Sequence, residues 1–90
     1  MRDIVFSPEA EEDYAYWIHN KPAIIERIKR LLKDMSEHPY MGIGKPERLK
    51  YDLVGKWSRR IDTEHSIVYI VREEENDIYI LALRYHYTKN

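Results

Sequence analysis

The first half of the chain has the apolar spacing of two helices. The segment SPE at residues 7 to 9 combines an N-cap hydroxyl, a proline at the first helical position and an acid in the first turn. It predicts a helix from Pro8 to about His19. The segment NKP at 20 to 22 breaks this pattern, and a second, amphipathic helix is predicted from Pro22. Its apolar residues recur three and four positions apart, at Ile24, Ile25, Ile28, Leu31, Leu32 and Met35. Two helices joined this tightly should form a hairpin.

The remaining apolar segments are short and rich in β-branched and aromatic residues, as strands are. One of them, Arg2 to Phe6, precedes the helices, and a loop of about ten residues, within the segment SEHPYMGIGKPE, follows them. Four more strands are predicted after the loop, at Glu47 to Leu53, Lys56 to Asp62, His65 to Arg72 and Ile78 to Tyr87. Short connections should make consecutive strands antiparallel. The order β-α-α-β-β-β-β predicts an α+β fold, with one antiparallel sheet and the helical hairpin packed on one face.

Length and composition limit the class of protein. Ninety residues suffice for one domain, covering 1–90, because half of the chain could not bury a workable core. The chain has no cysteine, which excludes disulfides and thiolate metal sites and is typical of a reducing compartment. No segment approaches the roughly 18 apolar residues of a membrane span, and the start turns acidic before a signal peptide could form. We therefore expect a cytoplasmic protein that does not contact a membrane.

Charge is distributed unevenly along the chain. The net charge is -1, but residues 41–60 carry six cations against two carboxylates, a local charge of +4. The acidic residues concentrate near the start of the chain and at 72–77. A local basic block suits a partner that carries phosphates, although a solvated charged surface would give the same pattern.

Three common kinds of site find no support in the sequence. GIGKPE lacks the frame and the Ser/Thr of a nucleotide phosphate loop and leads into a strand. The four histidines, His19, His38, His65 and His86, are about twenty residues apart with no cysteine partners, so neither a metal nor a cofactor is predicted. No serine lies in the context of a nucleophile elbow.

Polar residues on the predicted strands fit a different chemistry. Cleavage of RNA without a metal needs a base for the 2′-hydroxyl proton, a cation for the phosphate and an acid for the departing 5′-oxygen. Glu47, Arg59 with Arg60, and RYHY at 84–87 supply these groups if the second and last strands lie close together. Glu47 could instead form a surface ion pair, and His86 could be a structural histidine. Arg59 and Arg60 project to opposite faces of a strand, so at most one is expected deep in a site.

Five segments together resemble the YoeB/Txe toxins, a branch of the RelE/ParE superfamily of bacterial toxin-antitoxin proteins. They are DYAYW (13–17), GIGKPERLK (42–50), LVGKWSRRI (53–61), EHSIVY (64–69) and RYHY (84–87), in the family's order and nearly its spacing. The resemblance extends from about Val5 to Tyr87 and implies a RelE-like fold.

The resemblance also implies a function. It implies a toxin that binds the 70S ribosome and cuts mRNA in the A site, and that a cognate antitoxin of the YefM/Axe kind holds inactive. By the family's motifs, Glu47 resembles the general base, Arg60 the phosphate-binding cation, and His86 and Tyr87 the acid and its companion. The RNA-binding residues would be Lys45, Arg48, Lys50, Arg59 and Arg84. DNA would be bound only through the antitoxin, and a homodimer is compatible with the resemblance.

Two features depart from the family's pattern. Ser66 stands where the family usually has an arginine, and Thr88-Lys89-Asn90 extend beyond the tyrosine at which many members end. A neutral hydroxyl cannot stabilise developing charge as a cation does, which predicts slower cleavage unless Arg84 or Arg59 compensates. Ser66 also leaves open a non-catalytic protein that binds antitoxin or ribosome and regulates its own operon. A gyrase-poisoning relative from the ParE branch fits less well, because the RYHY end has no evident role there.

Overall fold

The computed structural model describes residues 1–84, and Tyr85 to Asn90 lie outside that range. The helices are α1 (Pro8–Asn20) and α2 (Ile24–Glu37). The strands are β1 (Asp3–Phe6), β2 (Glu47–Arg48), β3 (Trp57–Arg60), β4 (Ser66–Arg72) and β5 (Asp77–Ala82), and a 3₁₀ turn spans Tyr51–Leu53. Neither helix within the described residues is long and apolar enough to cross a membrane.

Helix α1 begins where the sequence predicts it, and its N-cap also joins it to the sheet. The Ser7 hydroxyl accepts a hydrogen bond from the amide of Ala10 (3.0 Å) and donates one to the carbonyl of Leu81 in β5 (3.1 Å). Pro8 occupies the first helical turn. One side chain therefore satisfies a helix end and attaches it to the neighbouring strand.

The five strands form one sheet in the order β1-β5-β4-β3-β2. The strands β2 to β5 pair as antiparallel neighbours, as predicted. β1 departs from the predicted antiparallel sheet, because it pairs in parallel with β5. Both helices and three further strands separate β1 from β5 along the chain, so no short turn forces these two strands to be antiparallel. The α+β class and the helical hairpin on one face are confirmed, and the sheet is mixed.

The second strand is much shorter than predicted. A strand was expected from Glu47 to Leu53, but β2 contains two residues and is followed by the 3₁₀ turn. Tyr51 has a φ of 61°, in the left-handed region, which a strand cannot contain. The last strand ends at Ala82, so the part of its predicted range from Tyr85 to Tyr87 lies outside the described residues.

The sheet has two different faces. One face packs against the helices and carries the side chains of Ile67, Tyr69, Ile78 and Ile80, which are fully buried with Ile28, Leu31 and Met35 of α2. Side chains alternate along a strand, so the residues between them project to the other side. We call this other side the far face, and its members in β2, β3 and β4 are Glu47, Ser58, Arg60, Ser66 and Val68.

Gly44 provides a test of how closely the loop before β2 packs. Its φ is 82°, and a Cβ there would lie 2.7 Å from Cδ2 of Leu31. Gly55 has a φ of 92° but no atom within 4 Å of such a Cβ. We expect Gly44→Ala to lower the free energy of unfolding by about 1 to 3 kcal/mol more than Gly55→Ala, because both substitutions strain the backbone but the first also overpacks the core. Urea denaturation measures the free energy of unfolding of both variants. Equal decreases would show that the loop accommodates the Gly44→Ala methyl group by moving, without loss of stability.

Candidate functional site

The far face brings two predicted site residues together. Glu47 pairs with Ser58 across β2 and β3, and Arg60 lies two residues further along β3 on the same face. Diagonal neighbours of this kind are about 7 to 8 Å apart. Both side chains are exposed. A carboxylate that can accept a proton therefore lies beside a guanidinium that can bind a phosphate.

The backbone of Arg60 is held on both sides of its Cα. Its amide donates to the carbonyl of Gly44 (2.7 Å), and its carbonyl accepts from Nη2 of Arg27 on α2 (3.1 Å). The loop and the helix thus fix the base of a side chain whose end reaches solvent. The Arg60 side chain can therefore contact an anion from a fixed backbone position.

Ser66 occupies the position directly across from Arg60 in β4 and is 2% exposed. Ser66, where the resemblance implies an arginine, therefore lies within the candidate site and not at its margin. Arg60 faces a small buried hydroxyl, which carries no charge. The positive charge that this cross-strand pair presents is thus that of Arg60 alone.

Arg59 lies on the other side of β3 and is 0% exposed. All five of its N–H groups donate within the protein. Their acceptors are the Tyr69 hydroxyl (3.2 Å), Oδ2 of Asp34 (2.7 Å), and the carbonyls of Ile43 (3.2 Å), His38 (2.5 Å) and Met41 (2.8 Å). Arg59 is therefore closed to a nucleic acid. Its position corrects the RNA-binding role expected for it, and it cannot compensate for Ser66.

Asp34 completes this buried network from α2. Its Oδ2 accepts from Arg59 and from the amide of Ile43 (3.0 Å). Burial would raise the pKa of the Asp34 carboxyl, but the hydrogen bonds from Arg59 and Ile43 outweigh burial and lower the pKa below its ordinary value of 3.8. A Cβ at Gly42 would lie 1.9 Å from the same oxygen, so only glycine lets the loop approach this carboxylate.

Two residues of α1 hold the chain where it leaves β5. The carboxylate of Asp13 accepts from the amide of Leu83 (2.9 Å), and Nε1 of Trp17 donates to the carbonyl of Leu83 (2.9 Å). Residues four apart lie on the same face of a helix, so the two groups reach one peptide segment from adjacent turns. Arg84 follows, with its Cζ 3.6 Å from the centroid of the Tyr16 ring. His86 and Tyr87, the predicted acid and its companion, lie beyond this segment and outside the described residues.

The other basic residues predicted to bind RNA are on the surface. Lys45, Arg48 and Lys50 are all exposed. Arg48 follows Glu47 in β2 and projects to the opposite side of the sheet, where its Cζ lies 5.7 Å from the centroid of the Trp57 ring. The basic block therefore covers two faces of one sheet edge.

The sequence reasoning missed two structural features of the site. Asp34 was not assigned a role, although a carboxylate within the apolar pattern of a helix is a signal for a buried partner. Asp13 was recognised only as part of the DYAYW motif. Its spacing from Trp17 was the available signal, but their shared partner is a backbone segment about 70 positions away, which no local pattern reveals.

Comparisons of sequence place the chain among known toxins. Residues 6–87 match the sequence profile of the YoeB-like toxin of bacterial type II toxin-antitoxin systems. The chain is 44% identical over 87 residues to Toxin YoeB of Mycobacterium bovis, covering 97% of this chain and 100% of that protein. It is also 44% identical over 84 residues to Toxin YoeB of Escherichia coli K12, covering 93% and 98%.

Comparisons of structure agree with the sequence. The YoeB/ParE toxin from Agrobacterium tumefaciens superimposes with a TM-score of 0.89 at 35% identity, covering 94% of this chain and 99% of that one. The YoeB dimer from Staphylococcus aureus gives a TM-score of 0.86 at 45% identity, with coverage of 96% and 98%. The YoeB-YefM complex from the same organism gives 0.83 at 44% identity, with coverage of 97% and 99%.

The lowered pKa of Asp34 makes a prediction about pH. A carboxyl whose pKa is lower in the folded state stabilises the protein fully above its unfolded pKa, and this contribution is lost as the pH falls through the folded value. Asp34→Asn should therefore reduce the free energy of unfolding at about pH 6 and reduce it less at about pH 3. Urea titrations of both proteins at both pH values measure the difference. Glu12→Gln, on the exposed side of α1, is the control. A loss from Asp34→Asn that is the same at both pH values would contradict the prediction.

Proposed function

The chain belongs to the family of YoeB-like toxins of bacterial type II toxin-antitoxin systems, and from this premise we propose that it is a ribosome-dependent endoribonuclease. It cuts mRNA in the ribosomal A site by general acid-base catalysis and so inhibits translation. The observation that carries this proposal is the placement of Glu47 and Arg60 as diagonal neighbours on the far face of the sheet.

In the proposed reaction each residue has one task. The Glu47 carboxylate takes the proton of a 2′-hydroxyl, and the 2′-oxygen attacks the adjacent phosphorus. The bond from phosphorus to the 5′-oxygen breaks as His86, with Tyr87 beside it, supplies a proton to that oxygen. The products are a 2′,3′-cyclic phosphate and a 5′-hydroxyl. Arg60 offsets the charge that grows on the phosphate oxygens between these events.

In the sheet β3 and β4 separate β2 from β5, so the acid would have to reach Glu47 from the segment that follows β5, and the hydrogen bonds to Leu83 fix where that segment begins. His86 and Tyr87 follow Leu83 by only three and four residues. Asp13 and Trp17 fix both polar groups of the Leu83 backbone, so the segment that carries the acid starts from a fixed point next to α1. Catalysis of this kind depends on positioning, because small displacements of an acid or base cost large factors in rate.

Lys45, Arg48, Lys50 and Arg84 are proposed to contact RNA. Their charges would supply affinity for the phosphate backbone without reading sequence. An antitoxin is the proposed partner that blocks the site. The Staphylococcus aureus relative forms a complex with YefM and also a dimer, and this chain is proposed to bind a YefM-like antitoxin and to form a homodimer. DNA would be contacted only through the antitoxin.

Ser66 favours one alternative function. With Arg60 facing a buried serine, the site has less positive charge than the family's pattern provides, and a protein that occupies the ribosome or regulates its operon without cutting is the second candidate. The two candidates differ in one measurable property, which is cleavage by the unmodified protein.

The catalytic proposal predicts that Glu47→Gln and Arg60→Gln each reduce cleavage by about 100-fold or more, because a base or a phosphate-binding cation typically contributes a factor of this size. Mapping of mRNA ends after addition of the purified protein to translating ribosomes gives the rates. Glu74→Gln, in the turn after β4, and Lys33→Gln, on α2, remove the same charges from exposed positions outside β2 and β3 and should leave the rates unchanged. Cleavage at the unmodified rate by both Glu47→Gln and Arg60→Gln would contradict the proposed roles of these two residues.

Ser66→Arg tests the alternative. If the unmodified protein is a slow nuclease, restoring the cation should raise the cleavage rate by about 10- to 100-fold, since one added electrostatic contact contributes that much. Ser66→Ala, which removes only the hydroxyl, should have little effect. Undetectable cleavage by the unmodified protein, followed by strong cleavage by Ser66→Arg, would instead establish the non-catalytic function.

A further inference from the structure

A groove lies at the sheet edge on the opposite side from Glu47. Its volume is about 680 Å³. We call it the aromatic groove and define it by Tyr40, Arg48, Lys50, Tyr51, Val54 and Trp57, which are among the residues that line it.

The floor of the groove is an ordered aromatic pair. The ring centroids of Tyr40 and Trp57 are 5.1 Å apart, with their planes tilted by 50°. The Tyr40 hydroxyl donates to Oε2 of Glu73 (2.7 Å), and Glu73 is in turn bound by Arg2 (2.9 Å). This chain of contacts fixes the Tyr40 ring, and Arg48 lies over the Trp57 ring. A flat ligand would meet rings that are already positioned, so little side-chain entropy would be lost on binding.

The wall of the groove is apolar and projects into solvent. Tyr51 is 78% exposed and Val54 is 76% exposed. Tyr51 also has its φ at 61°, a conformation that bulky residues rarely adopt. Because both side chains project into solvent, neither stabilises the core. The backbone strain at Tyr51 costs free energy, and no packing of its ring in the core offsets that cost. Such an outlier is a signal of a binding role.

Among the described side chains that line the groove, those of Arg48 and Lys50 are charged, and both are cations, which favours a ligand with negative charge. Rings that can stack on a flat group, together with cations that can track phosphates, are the combination that binds single-stranded nucleic acid. A single-stranded RNA uses both features, whereas an acidic peptide would use the cations and bring no flat bases to the rings. Charge and ring placement together favour RNA.

The groove is also continuous with the proposed cleavage site. Glu47 and Arg48 are consecutive residues of β2, which is the edge strand of the sheet, and they project to opposite faces. An RNA strand that leaves the far face has to cross only this two-residue strand to enter the groove.

We propose that the aromatic groove binds an unpaired segment of the RNA strand that is cleaved on the far face. Bases stack on Tyr51 and Trp57, and Arg48 and Lys50 bind the neighbouring phosphates. Because every base has a flat face, this contact tolerates any sequence and adds affinity without codon preference. The substrate class rests on the proposed function, but binding can be measured without cleavage.

The test uses the full chain with Glu47→Gln, so that the RNA stays intact. Single-stranded oligouridylate and oligoadenylate are titrated at fixed salt, and tryptophan fluorescence reports binding. Tyr51→Asn is the main variant, because asparagine tolerates a positive φ and removes only the ring. It should weaken binding by about 5- to 100-fold for both oligonucleotides, the range of one lost stacking contact. Tyr51→Phe should bind as the parent does.

Further variants separate stacking from charge. Trp57→Leu should remove most of the fluorescence change, so its affinity is measured by the anisotropy of a labelled oligonucleotide and should fall by a similar factor. The urea midpoint of this variant is measured alongside to confirm folding. Arg48→Gln should weaken binding and reduce its salt dependence. Lys33→Gln on α2 and Ile18→Asn on α1 are exposed-surface controls that should change nothing.

Two results would overturn the proposal. Loss of affinity with Arg48→Gln but not with Tyr51→Asn or Trp57→Leu would show that charge alone acts. Unchanged RNA binding by all groove variants together with weakened binding of an antitoxin would show that the groove docks a protein. The cleavage assay with Glu47→Gln and Arg60→Gln is independent of both, so failure of the proposed function and failure of the groove are distinguishable.

Discussion

The hydrogen bonds of the buried Arg59 guanidinium constrain the rest of the site. An isolated buried charge is very costly, and a buried arginine persists only where its charge is paired and its donors are satisfied. Arg59 meets both requirements by joining four parts of the chain: its own strand β3, Tyr69 in β4, Asp34 in α2, and the loop carbonyls of His38, Met41 and Ile43. The loop therefore has one low-energy path into the sheet. That path determines where the chain reaches Glu47 and the edge strand.

Alternation along short strands divides structural and chemical roles between neighbours. Arg59 and Arg60 have the same side chain, but one is fully buried and the other reaches solvent. The same holds in β2, where Glu47 projects to the far face and Arg48 toward the aromatic groove. A shift of one residue in the register of either strand would exchange these roles. The loop contacts of Arg59 and the bond from Arg60 to Gly44 prevent that shift.

The sequence predicts the features that depend on local pattern. The start of α1, the apolar face of α2 and the antiparallel hairpins follow from capping residues, periodicity and short connections, and the structure agrees. Helix α2 begins at Ile24, two residues after the predicted start at Pro22, and has no side-chain cap. The parallel pairing of β1 with β5 was missed because it depends on the path of a long connection. The early end of β2 was missed because a left-handed Tyr51 has no compositional signal. The role of Arg59 was assigned wrongly because three of its acceptors are backbone carbonyls, which every residue possesses.

The serine across from Arg60 affects how strongly the candidate site can stabilise a bound phosphate. Arg60 is exposed, and a single exposed cation stabilises a nearby phosphate weakly, because water screens it. The same charge is worth several times more once a bound surface excludes water from around it. A site with two cations would depend less on that exclusion. With serine across from Arg60, the proposed catalysis would depend more strongly on a bound partner surface that excludes water from around this single cation.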